Sequence, residues 1–273
     1  MFPIDTNKLH LFYVQLEGEE DKGVCALRDD FKFELLLRNL TLKQQLRIRN
    51  TKNETDKFIK LLNSLFVQYV VGIYEKDKGQ EREPIVELRS KYGKPYLENR
   101  EYQYNLSDEN GIVMLAIGFS KSFEGKEIGI DLANPIDIER FNLKRLEDFY
   151  RSDFRAIFSS AEIENLDGYF ETLSHQEQLL LLSKVWSLKE SYCKYIGVGI
   201  TAGMQNFEFL TVCDNFETTI DTIRLKPLKG YDPLNACFII PNSPIICSVF
   251  SHYENARLIK VDACDIINYY TKK

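Results

Sequence analysis

Histidine is scarce in this 273-residue chain. It has three, together with six cysteines at positions 25, 193, 213, 237, 247 and 264 and no Cys-x-x-Cys pair. A zinc cluster needs closely spaced Cys and His ligands, so that class is excluded and the cysteines read as reduced core thiols. No run of 18 apolar residues occurs, so no membrane-spanning helix is expected. Residues 1–16 lack a basic stretch followed by a continuous apolar one, and a soluble cytoplasmic protein is expected. An excess of basic residues is also missing: 35 Lys and Arg against 41 Asp and Glu give −6. That balance argues against general nucleic-acid binding and leaves room for a local phosphate pocket. There is a single tryptophan, Trp186, and no short-period repeat or low-complexity tract.

What is present is ordinary globular material, 44% hydrophobic and 28% charged. The length suits two moderate lobes, and the loop at 120–126 is the expected boundary, giving units 1–124 and 125–273. Residues 9–16 read as a strand and 31–40 as a short leucine-rich helix. A basic cluster follows, Lys43, Arg47, Arg49 and Lys52, which either approaches a phosphate or balances nearby acids in solvent. Asn53 or Thr55 can cap the next helix, whose apolar face carries Phe58, Leu61, Leu62, Leu65, Phe66 and Tyr69.

After a charged loop at 75–83, residues 84–89 read as a strand. In the Gly93-Lys94-Pro95 turn, glycine permits an unusual backbone and proline holds the chain extended, so Lys94 is expected to be presented rather than buried. The segment 104–108, YNLSD, leads into an apolar strand at 112–119, and a hairpin with the following EIGIDL is expected. Alternation in that second strand puts Ile128, Ile130 and Leu132 on one side and Gly129 and Asp131 on the other. Asp131 ends the strand before Asn134-Pro135, either as a magnesium ligand or as the residue of an Asx-type turn. Residues 136–182 read as helical with breaks near 159–160 and 167–168, and later strands are expected at 207–212, 218–225, 237–240, 245–250 and 258–261.

The stretch Trp186 to Gly199, WSLKESYCKYIGVG, reads as a helix closed by glycine. Leu181, Val185, Leu188, Tyr192 and Tyr195 form its apolar stripe. Trp186, Glu190 and Lys194 form a column on the opposite face, with Ser183 and Ser187 beside it. That column is either a solvated face with an i, i+4 ion pair worth about 0.2–0.5 kcal/mol, or the wall of a cleft in which something covers the tryptophan ring.

Taken in order, GKP at 93–95, YNLSD at 104–108, IGID at 128–131 and WSLKES at 186–191 resemble the motifs of the 4′-phosphopantetheinyl transferases of the larger, single-chain type. The resemblance runs from about residue 9 to residue 265, and IGID with WSLKES is its specific part. It implies an α/β (α+β) fold of two similar, pseudo-twofold-related lobes, each a small, mostly antiparallel sheet with packed helices. It implies coenzyme A bound between them, Mg²⁺ held by Asp131 and Glu190, and phosphates contacted by Lys189 and Lys194. Asn105, Ser107 and Asp108 would border the adenine nucleotide, with Arg47, Arg89 and Lys94 on its phosphates and Lys52 as an addition. Asp131, Glu190 and Lys194 would form the catalytic group, with Glu190 as the general base.

By the same resemblance the activity is transfer of 4′-phosphopantetheine to a serine of an apo acyl, peptidyl or aryl carrier domain, with adenosine 3′,5′-bisphosphate released. The ESYCKYIGVG variant looks like eukaryotic members that serve the aminoadipate reductase of lysine synthesis. A monomer with no nucleic-acid or membrane partner is expected, and the competing reading is a non-catalytic module that binds coenzyme A or a carrier domain. Two positions depart from the family pattern. Asp108 stands where a histidine is usual, and Ala133 where many bacterial members carry a third acidic ligand. An acid at 108 repels a phosphate, and water can complete a Mg²⁺ shell at 133.

Overall fold

The structure, a computed structural model, describes residues 5–18, 20–77, 87–98, 102–119, 127–141, 143–198, 203–210 and 222–272. Runs of five to seven residues make most of its strands. β1 (Leu9–Gln15), β4 (Gln103–Glu109), β5 (Ile112–Gly118), β7 (Thr222–Arg224) and β11 (Asn255–Lys260) form one sheet in the order β4-β5-β1-β11-β7. β6 (Gly129–Ala133), β8 (Lys226–Pro227), β9 (Leu234–Ile239) and β10 (Ile246–Ser251) form a second, in the order β6-β10-β9-β8. β2 (Glu87–Arg89) and β3 (Pro95–Leu97) make a separate two-stranded ribbon. Only β1 with β11 is parallel among these pairings, so the fold is the expected mixed α/β type with mostly antiparallel sheets.

Alternation along each strand sorts the core into layers. Leu9, Leu11 and Tyr13 of β1 pack with Ile128, just before β6, with Ile130 and Leu132 of β6, and with Phe238, Cys247 and Val249, so the two sheets face each other. Phe12 and Val14 point the other way, onto α1 (Lys22–Leu27), α2 (Asp30–Leu37), α4 (Glu54–Asp77) and α8 (Ala263–Thr271). Asn53 caps α4, its side chain accepting from Asp56 N at 3.0 Å. α3 (Leu42–Arg49) leads into α4 and buries Ile48. On the outer face of the second sheet lie α5 (Pro135–Glu139), α6 (Ser160–Phe170) and α7 (His175–Ile196), around Phe149, Tyr150, Phe158 and Phe250.

Four expectations need correction. The hairpin of 112–119 with 127–132 does not form: β5 pairs with β1 and β4, whereas β6 pairs with β10 in the other sheet. A wholly apolar strand suits either sheet, and the sequence does not state its partner. α6 runs through Asp167-Gly168, and the break falls instead before Ser174, which caps α7 in a reciprocal box with Glu177. Residues 207–210 are irregular rather than a strand. The division at 124/125 is crossed, because β11 pairs with β1 and α8 packs in the first core. Residues 84–86, 120–126, 211–212 and 218–221 of the expected strands and boundary loop lie outside the described residues.

The joint between the sheets is made by side chains. β4 and β6 are both edge strands. Asn105 Oδ1 accepts from Ile130 N at 2.9 Å and Ser107 Oγ from Leu132 N at 3.2 Å, so the open edge of β6 is closed by the side chains of β4.

Candidate active site

Helix α7 lies on β6 with almost no gap, and Gly129 is the reason. A Cβ at 129 would run into the Ser191 carbonyl and the Tyr195 amide, and would sit 2.7 Å from Tyr195 Cβ. With no side chain there, the helix settles onto the strand, and the next residue on that face, Asp131, comes beside its polar column. Gly197, at φ +74°, then ends the helix in the left-handed conformation that glycine tolerates.

Asp131 is 6% exposed. Its Oδ1 lies 2.8 Å from Lys194 Nζ and 3.3 Å from Ser107 Oγ, and Lys194 Nζ also reaches Ser107 Oγ at 3.1 Å. The Asp131 carbonyl accepts from the buried Ser187 hydroxyl at 3.1 Å. Burial raises the Asp131 carboxyl above its ordinary pKa, against the pull of Lys194 and Ser107. Glu190 is half-buried, and burial and then the nearby Asp131 push it up too, while Lys194 draws it down. Asp131, Glu190 and Lys194 therefore share one electrostatic site, assembled from β6, α7 and the edge of β4.

The tryptophan is covered. Trp186 meets Phe154 edge-on at 5.2 Å and Phe149 at 6.0 Å, both from a π-type turn at Phe149–Asp153 and the residue after it. These rings, with Leu132, Ala133 and Ile138, wall a cavity of about 140 Å³ lined from β6, α5 and α7. Glu109 and Asp137 also line it. Burial first, then the charge of and a hydrogen bond with Asp137, and then Asp131 and Asp108 push Glu109 up to about 7. The sequence reading passed over both acids. Alternation from Asn105 through Ser107 was the signal that could have found Glu109.

Several expected ligands do other work. Lys189 is fully buried, 2.7 Å from Glu162 Oε2, 2.9 Å from the Met204 carbonyl and 2.5 Å from that of Phe207, so all three of its N–H bonds are used and none faces a cleft. Glu162 in turn accepts from Phe209 N at 2.9 Å and Ser159 N at 3.0 Å. This correction follows from the helical wheel: Lys189 sits one residue before Glu190, about 100° round α7 and toward α6. Lys94 is not presented to solvent either. Its side chain is 12% exposed, donates to Ile128 O and Tyr195 O at 3.1 Å each, and pairs with Glu127. Burial lowers its pKa while Glu127 opposes the shift.

Asn105 and Ser107 are buried, and their side chains are engaged in the β4–β6 joint. Asp108 is exposed and accepts from Asn63 Nδ2 of α4 at 2.7 Å. Arg89 is exposed and donates to Gly93 O at 2.9 Å, while Arg47, on α3, and Lys52, after it, are exposed as well.

The segment that carries β6, α7 and β9 has known counterparts. Residues 128–238 match the family model described as the 4′-phosphopantetheinyl transferase superfamily. The match covers less than half of the chain. Over 186 residues, 68% of this chain, it is 31% identical to the L-aminoadipate-semialdehyde dehydrogenase-phosphopantetheinyl transferase of Candida glabrata, and over 196 residues, 71% of the chain, 28% identical to the Saccharomyces cerevisiae protein of the same name. Each alignment spans 65% of the relative, slightly less than two thirds. The 4′-phosphopantetheinyl transferase gsp of Aneurinibacillus migulanus aligns over 266 residues, 96% of this chain and 95% of that one, at 22% identity. The superfamily segment contains Asp131, Glu190 and Lys194, whereas Asn105, Ser107 and Glu109 reach the site from outside it.

Proposed function

We propose that the chain transfers the 4′-phosphopantetheine group of coenzyme A to a serine hydroxyl of an apo carrier domain. The observation that carries this reading is the gathering of Asp131, Glu190 and Lys194 at the contact of β6 with α7, inside the superfamily segment. The residues fit a divalent cation. The Asp131 charge raises the already desolvated Glu190, and a cation beside these two hard-oxygen carboxylates would relieve that repulsion. Asp131 and Glu190 would hold Mg²⁺, which supplies charge stabilisation at the pyrophosphate when bound.

The rest is done by the chain's own groups. The serine oxygen attacks the β-phosphorus, a new P–O bond forms, and the bond to the bridging oxygen breaks, so adenosine 3′,5′-bisphosphate leaves with the electron pair. Glu190, with its basicity raised by burial, accepts the serine proton directly or through a water. The Lys194 ammonium offsets charge growing on the leaving phosphate. The named activity of the two yeast relatives favours an aminoadipate reductase carrier as substrate. This reading is of a monomeric cytoplasmic enzyme without nucleic-acid or membrane partners; among the described residues no helix is long and apolar enough to cross a membrane.

The test is incubation with coenzyme A, Mg²⁺ and apo carrier domains, read by intact mass. A gain of about 340 Da on the carrier serine, lost with Asp131→Asn or Glu190→Gln, is expected. Coenzyme A binding without any gain would instead identify a non-catalytic binding module.

A further inference from the structure

The edge register of β4 against β6 continues beyond the two bonds already described. Asn105 meets Ile130 and Ser107 meets Leu132. Side chains on one face of a strand recur every second residue, so the next in line is Glu109, opposite Ala133 and Asn134. Glu109 does line the cavity with Ala133, Asn134 and Asp137, and it is half-buried there. Asp108 points the other way, to Asn63. Ala133 is small, lines the cavity with Glu109, and is the next residue after Asp131 on the same face of β6.

A separate observation, from α7, points to a polar ligand in the cavity that Glu109 lines. Ser183 lines this cavity at 1% exposure, and its Oγ has no hydrogen-bond partner. A buried hydroxyl left unpaired is unfavourable, and an oxygen bound in the cavity would satisfy it.

We propose that Glu109 is the third carboxylate of the divalent-cation site, reaching from β4 over Ala133, with Ser183 holding a water of the ion's shell. The inference rests on the transferase reading above. Among the described residues no three acids stand ready around a common point: Asp131 is held by Lys194, and Glu109 by Asp137. Turning these side chains toward a cation exchanges the two pairings for ion–oxygen contacts and leaves the backbone in place. Mg²⁺ takes six oxygens in near-octahedral array, and Asp131, Glu190 and Glu109 leave three positions for phosphate oxygens and water. The ligands would then come from both sheets and from α7, so the ion would fasten the joint between them.

The experiment is Mn²⁺ binding to the full chain, with and without coenzyme A, followed by the electron paramagnetic resonance of the free ion. Glu109→Gln is expected to weaken binding about tenfold or more, and Glu109→Asp, which is shorter by one methylene, to weaken it in the same direction. Glu109→Gln combined with Ala133→Glu is expected to regain affinity, because the carboxylate then arrives from β6. Wild-type Mn²⁺ affinity in folded Glu109→Gln, alongside loss in Asp131→Asn, would overturn the role of Glu109 alone. Equal binding by wild type and Asp131→Asn would overturn the cation site itself, and the transferase reading with it.

Discussion

Replacing Lys189 by methionine separates a structural role from a ligand-binding one. Methionine keeps much of the volume and removes the charge. The change leaves the Glu162 carboxylate, 1% exposed, without its cation, and takes the donor from two carbonyls, those of Met204 and Phe207. Removing one member of a buried ion pair destabilises by about 3–5 kcal/mol. The carbonyl losses, about 1 kcal/mol each, overlap with that figure, so a loss of about 4 kcal/mol is the working value. The double change Lys189→Met with Glu162→Gln is expected to recover more than half, since neutral Gln can still accept from Phe209 N. Urea unfolding gives the stability change from the midpoint, and calorimetry gives coenzyme A affinity at a temperature where the variant is folded. Expected are a lowered midpoint and an affinity within about twofold of wild type. An unchanged midpoint with coenzyme A affinity reduced tenfold would refute this account and return Lys189 to the phosphates.

Gly129→Ala is expected to destabilise by about 1–3 kcal/mol, toward the upper end because the obstructing atoms are backbone, and to lower transfer further by lifting Lys194 away from Asp131; wild-type unfolding midpoint and turnover would show that α7 does not depend on this close approach. Glu109 supplies a pH signature. Its folded pKa of about 7 is raised from an ordinary 4.5, so the fold favours its protonated form. Its contribution is present below about pH 4.5 and is lost as pH rises toward 7, by no more than about 3 kcal/mol and less for its partial exposure. The urea midpoint of metal-free protein should fall across that window and do so less in Glu109→Gln; a slope identical in the two proteins would count against it.

The site was legible in the sequence where one element carries the information. Gly129 and Asp131 share a strand face, and Trp186, Glu190 and Lys194 share a helix face. Both follow from periodicity, and the structure joins them because glycine removes the obstacle between strand and helix. Lys189 and Lys94 were misread for a common reason. A lysine in a polar motif looks like a phosphate ligand until its acceptors are known, and these lie far off in sequence: Glu162, Met204 and Phe207 for one, Ile128 and Tyr195 for the other.

By itself the sequence determined the class of the fold, the helix and strand that bear the proposed catalytic group, and the family those motifs resemble, because each is a local pattern of spacing and polarity. Only the tertiary structure decided which sheet each strand joins, that β11 and α8 return to the first core, that Asn105 and Ser107 are spent closing the edge of β6, and that Glu109 and Asp137 stand beside Asp131. Those facts depend on pairings across long stretches of chain. Hydrophobic alternation fixes which face of a strand is buried and is silent about what lies against it.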